Sequence, residues 1–289
     1  MVKIRAGTMK DCKDLLTVYQ TTRWNHRTVP GGYKTVEQVK EEHKGVGFKK
    51  WGWLVAEKRG AAVGEIVFRT EKSIRVGTIG IIRNVDIDVR HQKNGIGTKL
   101  TRAAEKVMKN KKAVQVISIT PPEAYNYWMK IGYFARGSLS NISLLVSRIP
   151  KGKSAKGKVK TIRLNDATRL PKSMAFSNRA QPSAIVEAVS KVLDKGAKGR
   201  LLEFQKDSRV IGIGVIYINE DKTASFVSDV TKGNDDYLEI VVLGTSKLAS
   251  SLKAKKVTSV VPNDQLSSFS AFAKWSHETA RDIPVTKLL

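Results

Sequence analysis

The sequence predicts a mixed α/β protein (α+β, mixed sheet): two tandem units, each a mostly antiparallel, twisted sheet flanked by helices. Three observations lead there. Near the front, three β-rich runs follow one another with short turns between them. At Gly97 the apolar period changes from that of a strand to that of a helix. Beyond a lysine-rich stretch the succession starts again. At 289 residues the chain also exceeds the roughly 100–150 residues of the commonest domain size. Two units, 1–150 and 161–289, joined by a linker at 151–160, are therefore expected.

The first unit opens with a strand, Ile4 to Met9, that runs through a Thr8 cap into a helix from Lys10 to Tyr19, where Leu15, Leu16 and Tyr19 recur at helical spacing. Trp51–Glu57, Val63–Arg69 and Thr78–Val89 read as an antiparallel meander broken at Lys58-Arg59-Gly60 and Glu71-Lys72-Ser73. From Gly97 to Lys109, Leu100, Ala103, Ala104 and Val107 mark one face of a helix, and Ala113–Thr120 alternates like a strand. Ala124–Ile131 is a short helix stopped by Gly132. Phe134–Arg136 and Ile142–Arg148 close the unit as strands.

Lys151–Lys160 alternates five lysines with small residues and has nothing apolar to bury beyond one valine, which suits a linker. Thr161–Ala167 then resembles Lys3–Met9. Arg209–Asn219 and Ala224–Thr231 read as meander strands and Tyr237–Val242 as a fourth. A helix at Ser246–Lys253, a strand at Val257–Val261 and an aromatic helix at Ser268–Ser276 follow in the order of the first unit.

Composition narrows the function class. With 41% hydrophobic and 27% charged residues the chain is that of a soluble globular protein, and its longest apolar run, Val210–Ile218, is far short of the roughly 20 residues a membrane helix needs. Met1–Leu16 lacks the apolar core of a secretory signal, so a cytoplasmic protein is expected. One cysteine, Cys12, excludes an internal disulfide, and with only four histidines a structural zinc is not expected. The formal net charge of +26, spread over both halves, asks for an anionic partner or a solvated basic surface. The lysines of the linker (Lys151, Lys153, Lys156, Lys158 and Lys160) and a helix face bearing Arg102, Lys106 and Lys109 suit nonspecific nucleic-acid contact.

The segment with chemistry in it is Arg90-His91-Gln92-Lys93-Asn94-Gly95-Ile96-Gly97-Thr98, between a strand and a helix. Glycines at 95 and 97 permit backbone angles and close approach that a β-carbon would block, so successive amides can converge on phosphate oxygens at the positive end of the helix. Lys93 and Lys99 add charge. A structural turn would use the same glycines. The Gly-Lys-Ser/Thr ending of a Walker loop is absent, and the preceding meander is not a Rossmann βαβ unit.

In register with this segment, Gln92, Gly95 and Gly97 resemble the strand, Gln/Arg-x-x-Gly-x-Gly/Ala, helix signature of the GNAT N-acetyltransferase superfamily. Ala124, Tyr127, Trp128, Gly132 and Tyr133 resemble its second segment, and the resemblance spans about Val2 to Ile149. It implies acetyl-CoA or another acyl-CoA as cosubstrate and an amine-bearing acceptor, a protein amine among the candidates. By the resemblance, amides of Gln92, Lys93, Asn94, Gly95, Ile96, Gly97 and Thr98 would hold the pyrophosphate. The edge of the strand at Ile87, Asp88 and Val89 would pair with the pantetheine arm, and Tyr127 and Trp128 would lie against it. A backbone N–H near Val89 would polarise the thioester carbonyl.

The sequence departs from the family at the catalytic positions. Pro121 stands where an Asn is frequent, Trp128 where a Tyr often serves as general acid, and Ile81 and Val116 where a Glu base would be sought. Asp86 and Asp88 alternate with Val85, Ile87 and Val89 and read as a solvated strand edge. The acid and base therefore stay open. Beyond the linker, Leu238–Val242 followed by Leu243-Gly244-Thr245-Ser246 leaves no room for a phosphate loop, so the second unit reads as a degenerate copy with the cradle deleted. His277 reads as a surface or partly packed histidine. Trp24–Tyr33, with His26, Arg27, Gly31 and Gly32, either contacts the acceptor or caps the core. Two functions remain: an N-acetyltransferase, or a catalytically silent module of the same fold that binds nucleic acid or another polyanion.

Overall fold

The computed structural model describes residues 1–22, 32–45, 48–73, 77–150, 157–162, 184–193, 196–230 and 238–289. In the first half these form β1 (Lys3–Ala6), α1 (Cys12–Thr21), α2 (Val36–Glu42), β2 (Trp53–Lys58), β3 (Ala61–Ser73), β4 (Gly77–Ile87), α3 (Ile96–Asn110), β5 (Gln115–Thr120), α4 (Pro122–Lys130), β6 (Phe134–Ala135) and β7 (Leu139–Leu145). The second half supplies β8 (Lys158–Ile162), α5 (Ala184–Leu193), β9 (Gly199–Lys206), β10 (Arg209–Ile218), β11 (Thr223–Val230), α6 (Leu238–Ser251), β12 (Lys256–Pro262), α7 (Leu266–Ser270), β13 (Ser276–Thr279) and β14 (Ile283–Leu288). None of these helices is long and apolar enough to cross a membrane.

Two seven-stranded mixed sheets result, in the orders β1-β2-β3-β4-β5-β14-β6 and β8-β9-β10-β11-β12-β7-β13. The orders match strand for strand, with one exchange. β7, from the first half, lies between β12 and β13 of the second sheet, and β14, the last strand, lies between β5 and β6 of the first. Each sheet is completed by a strand from the other half, so the two are interleaved as well as joined by the segment at 151–160.

Helices cover both faces of each sheet. On the first, the apolar stripe of α3, with Leu100, Ala104 and Met108 fully buried, packs with Trp128 of α4 against Ile66, Phe68 and Ile82. The opposite face takes α1 and α2, whose Leu15, Val18, Tyr19 and Val39 meet Trp53, Val55 and Val67. The start of α2 is fixed by a capping box: Gln38 N–H donates to Thr35 Oγ1 at 3.2 Å, and Thr35 N–H donates to Gln38 Oε1 at 3.2 Å.

Both sheets open in the same way. β4 pairs in parallel with β5 only over Ile79–Ile81, and β11 with β12 only over Thr223–Ser225; beyond these the strands part. At each parting a serine bridges the gap: Ser118 Oγ donates to Ile82 O at 3.1 Å, and Ser259 Oγ donates to Phe226 O at 2.9 Å.

Several expectations are corrected. Tyr237 lies outside the described residues, and Leu238–Val242 is not a strand: it forms the first turns of α6, with Ile240, Val241 and Val242 buried in the core of the second sheet. The strand preceding α6 is β11, so the segment answering to the first half's loop is 231–237, and it is not deleted; it lies outside the described residues. Lys158 and Lys160 belong to β8 rather than to a linker, while 151–156 lie outside the described residues. The aromatic helix is only Leu266–Ser270, and Ser276 begins a strand. Arg163–Ala167 also lies outside the described residues.

Candidate active site

The opening between β4 and β5 is widened by a β-bulge. Val67 faces Asn84 and Phe68 faces Ile82, leaving Arg83 as the extra residue on β4. Its guanidinium is held by Glu42 of α2. β4 ends at Ile87, so Asp88 and Val89 do not extend the edge as the sequence suggested: they begin a 3-10 turn, Val89–His91. The Val89 N–H faces Thr21 Oγ1 at 3.5 Å.

Asp88 is buried, not solvated. It caps this turn by accepting from the Arg90 N–H at 2.9 Å and pairs with the Arg90 guanidinium at 2.6 Å, and those hydrogen bonds hold its carboxyl below the usual range. Gln92 Nε2 donates to Ile87 O at 2.9 Å, tying the loop to the end of β4. Lys93 and Gly95 both adopt positive φ, 61° and 72°, which turns successive amides toward one side as in an anion nest. At Gly95, the residue before α3, a β-carbon would meet open space but the backbone would be strained. Lys99 N–H donates to Gly95 O at 3.0 Å; the amides of Ile96, Gly97 and Thr98 precede that bond and have no intrahelical partner.

The structure therefore places Gln92 to Thr98 as one run beside the end of β4, exposed from Gln92 to Gly95, with the amides of Lys93 to Thr98 left over at the positive end of a 15-residue helix. Tyr127 joins it: its Oη shares a 2.7 Å hydrogen bond with Thr101 Oγ1 and lies 3.4 Å from where a β-carbon on Gly97 would be. Burial pushes the Tyr127 hydroxyl up to about 12, so it keeps its proton in the neutral range. Trp128 is not at the surface of the opening. It is buried edge-on between Tyr127 and Tyr133, with centroids 5.2 and 4.7 Å away.

The comparisons with known proteins cover the same stretch of chain. The sequence model described as "Acetyltransferase (GNAT) family" matches residues 18–133, which contain the whole loop, α3 and α4. The chain contains a GNAT-family domain. No curated protein matches the chain. Among solved structures, a GCN5-related N-acetyltransferase from Anabaena variabilis aligns with 100% of this chain and 73% of its own at 12% identity and a TM-score of 0.69. One from Kribbella flavida aligns with 100% and 71% at 14% identity and a TM-score of 0.62. A tandem GNAT protein of the clavulanic acid biosynthesis pathway aligns with 100% and 98% at 11% identity and a TM-score of 0.55. At these identities the likeness is one of fold, and it extends over both halves.

Members of the GNAT family use acyl-CoA, and the loop fits the phosphate end of such a molecule on its own geometry: unpartnered amides, two positive φ angles and no acidic side chain from Arg90 to Thr98. The GNAT domain also holds a polar cluster that the sequence reading missed. Asp86, expected at a solvated edge, is buried and faces Glu65 on β3 in register. Glu65, itself fully buried, accepts hydrogen bonds from the Tyr19 hydroxyl and from Trp53 Nε1 at 2.8 Å, and lies 2.9 Å from His43 Nε2. His43 Nδ1 in turn lies 2.7 Å from Val39 O. Burial alone would lower the His43 pKa, but the Glu65 charge and these hydrogen bonds outweigh it and raise it. Asp86 Oδ2 has no hydrogen-bond partner among the described residues. Burial first, then the nearby Glu65 charge, push its carboxyl up to about 8.

The signal for this cluster was present as two lone carboxylates in apolar runs, Gly64-Glu65-Ile66-Val67 and Asn84-Val85-Asp86-Ile87. Its meaning depended on α1 and α2 covering that face. Of the segment Trp24–Tyr33, residues 24–31 lie outside the described residues. Tyr33 itself is buried and stacks on Tyr19 at 4.8 Å. His277 is exposed on β13, in the second sheet.

Proposed function

We propose that the chain is an N-acyltransferase moving an acetyl or other short acyl group from acyl-CoA to an amine, with one active centre, in the unit spanning 1–150. The observation that carries this reading is the run of unpartnered amides from Lys93 to Thr98, beyond the end of β4. Bound there, acyl-CoA would supply a thioester carbonyl activated toward nitrogen. The amides and the α3 dipole would hold its pyrophosphate, and the edge of β4 beyond its pairing with β5 would align the arm. Holding amine and carbonyl in line is the largest contribution the chain can make, up to roughly 7–11 kcal/mol.

The amine nitrogen bonds to the carbonyl carbon as the carbon–sulfur bond breaks, and the nitrogen must shed a proton. Among the described groups along β4, Asp86 is the carboxyl whose Oδ2 has no hydrogen-bond partner and whose pKa is raised, and because it is buried we assign it that proton through water. The departing thiolate takes its proton from solvent. The +26 charge favours an amine carried by an acidic molecule, small or protein, because a positive potential concentrates such acceptors.

The test is acyl transfer from labelled acetyl-CoA to a panel of small and peptide amines. Asp86→Asn is expected to lower kcat by about a hundredfold or more while leaving the acetyl-CoA Kd unchanged, and to remove the rise in rate through about pH 8. Transfer to no amine would contradict the reading, and a parental kcat in the variant would remove Asp86 from it.

A further inference from the structure

The second half has a cavity of about 540 Å³ on the side of its sheet covered by α5, where β11 and β12 part. In the first sheet buried isoleucines stand at the same place. Register defines the equivalence: Ile79, Ile81 and Ile117 occupy the positions that Thr223, Ser225 and Thr258 occupy in the second sheet, each set ending at its bridging serine. The three isoleucines are buried and pack together. Their counterparts carry hydroxyls, and two of them, Ser225 and Thr258, line the cavity.

The hydroxyls continue across the sheet. Tyr217, Ser225, Thr258, Ser143 and Ser276 stand in cross-strand register on five adjacent strands, and all five line the cavity. Ser225 and Thr258 share a 3.0 Å hydrogen bond, and Asn219 Nδ2 donates to Ser225 Oγ at 2.8 Å. A sheet face meant for core packing is apolar at such positions. α5 packs over β9, β10 and β11, where Ile213, Val215 and Val189 make an ordinary core, so the row beyond it faces the cavity.

Charge is placed at its two ends. Lys191 of α5 reaches over Tyr217, its Nζ 3.2 Å from the hydroxyl and 4.9 Å from the ring centroid, and Lys256 of β12 lines the same end. Glu278 lines the other end, in register with Asn141 and Val260. From Lys256 to the level of Val260 is four residues along β12, about 13 Å. The volume is within the range of small-molecule sites, roughly 300–1,000 Å³.

We propose that this cavity is a second ligand site, distinct from the acyl-CoA cradle, for an elongated polar small molecule with one anionic end. A carboxylate or phosphate would lie between Lys191 and Lys256. Hydroxyl or amide groups would lie over the row from Ser225 to Ser276, and Glu278 would require the far end to be neutral or cationic.

The experiment is calorimetric titration of the full chain with gluconate and with sorbitol 6-phosphate, which separate the carboxylate and phosphate sources, and with doubly anionic 6-phosphogluconate. At least one singly charged probe is expected to bind. Its affinity should survive Gly95→Asp in the cradle and fall by about tenfold or more in the Lys191→Ala/Lys256→Ala variant. Ser225→Ile, which restores the first half's residue, should block the cavity without any surface charge change. 6-Phosphogluconate should bind more weakly than gluconate, and the difference should close in Glu278→Gln. Circular dichroism confirms that each variant is folded. No binding of either singly charged probe at millimolar concentration overturns the proposal. So does binding that survives the lysine variant, or binding that is lost with Gly95→Asp, since the anion would then occupy the cradle.

Discussion

The two sheets share strand order and the place where they open, yet they put polar groups in complementary parts of the same face. Counting back from the bridged residues Ile82 and Phe226, Glu65 and Trp53 in the first sheet correspond to Ile213 and Leu201 in the second. Glu65 is bonded to Tyr19, His43 and Trp53, whereas Ile213 and Leu201 are plain core. At the opening the pattern reverses: isoleucines fill the first sheet, and hydroxyls line a cavity in the second. The bulge at Arg83 has no counterpart, because β10 and β11 stay in unbroken register from Gly212 to Ile218. One scaffold thus carries two different polar arrangements, and what decides each is where apolar side chains fill the face.

The strand exchange offers the sharpest way to break this comparison, since it makes neither half complete. Deleting Ile283–Leu289 removes the strand between β5 and β6, including the fully buried Val285. It leaves a long unpaired edge on β5. Loss of the cooperative melt of the first half is expected by circular dichroism, with aggregation. A truncated chain beginning near Lys160 would likewise lack β7, so it is no test of the second half alone. A parental melt for the deletion would mean that each half closes its own sheet.

A smaller effect is expected at the buried carboxylate. Glu65→Ala strands the Tyr19 hydroxyl, the Trp53 N–H and His43 in the core, at a cost of about 3–5 kcal/mol read from the denaturant midpoint. Ser225→Ala, at the solvent-lined cavity, should cost about 1 kcal/mol or less. Equal costs would erase the distinction between the two faces.

A further effect is pH-dependent. The folded chain keeps the Asp86 proton up to about pH 8, whereas the ordinary carboxyl value is 3.8. Between those values the folded state binds the extra proton, so this group's contribution to stability declines as pH rises through the window. Asp86→Asn removes that decline. The variant should gain in Tm over the parent from pH 5 to pH 8, and a constant difference across that range would contradict the assigned shift.

Much of the first half was legible because its elements are amphipathic and bounded by turns: α3 with Leu100 and Ala104, the meander, and the glycine loop. The segment at Leu238–Val242 was misread because a short apolar run has no period that separates a buried helix from a strand. Nothing local reveals that β7 and β14 change sheets, since their alternation suits either one, and Pro284 argues against an interior strand at all. The glycine loop before α3 could be read because backbone freedom is written in glycine. The Glu65–Asp86 cluster could not, because burial of a carboxylate depends on helices that pack over it from elsewhere in the chain.

One acyl-CoA cradle per chain is expected. The second half's corresponding segment, 231–237, carries Asp235 and Asp236, whose charge opposes a phosphate. Titration of the full chain with acetyl-CoA in moderate salt measures this directly. The account predicts one site per chain, retained when salt would suppress purely ionic binding, and abolished by Gly95→Asp in a chain that still melts cooperatively. Two sites, or one site that survives Gly95→Asp, would contradict it.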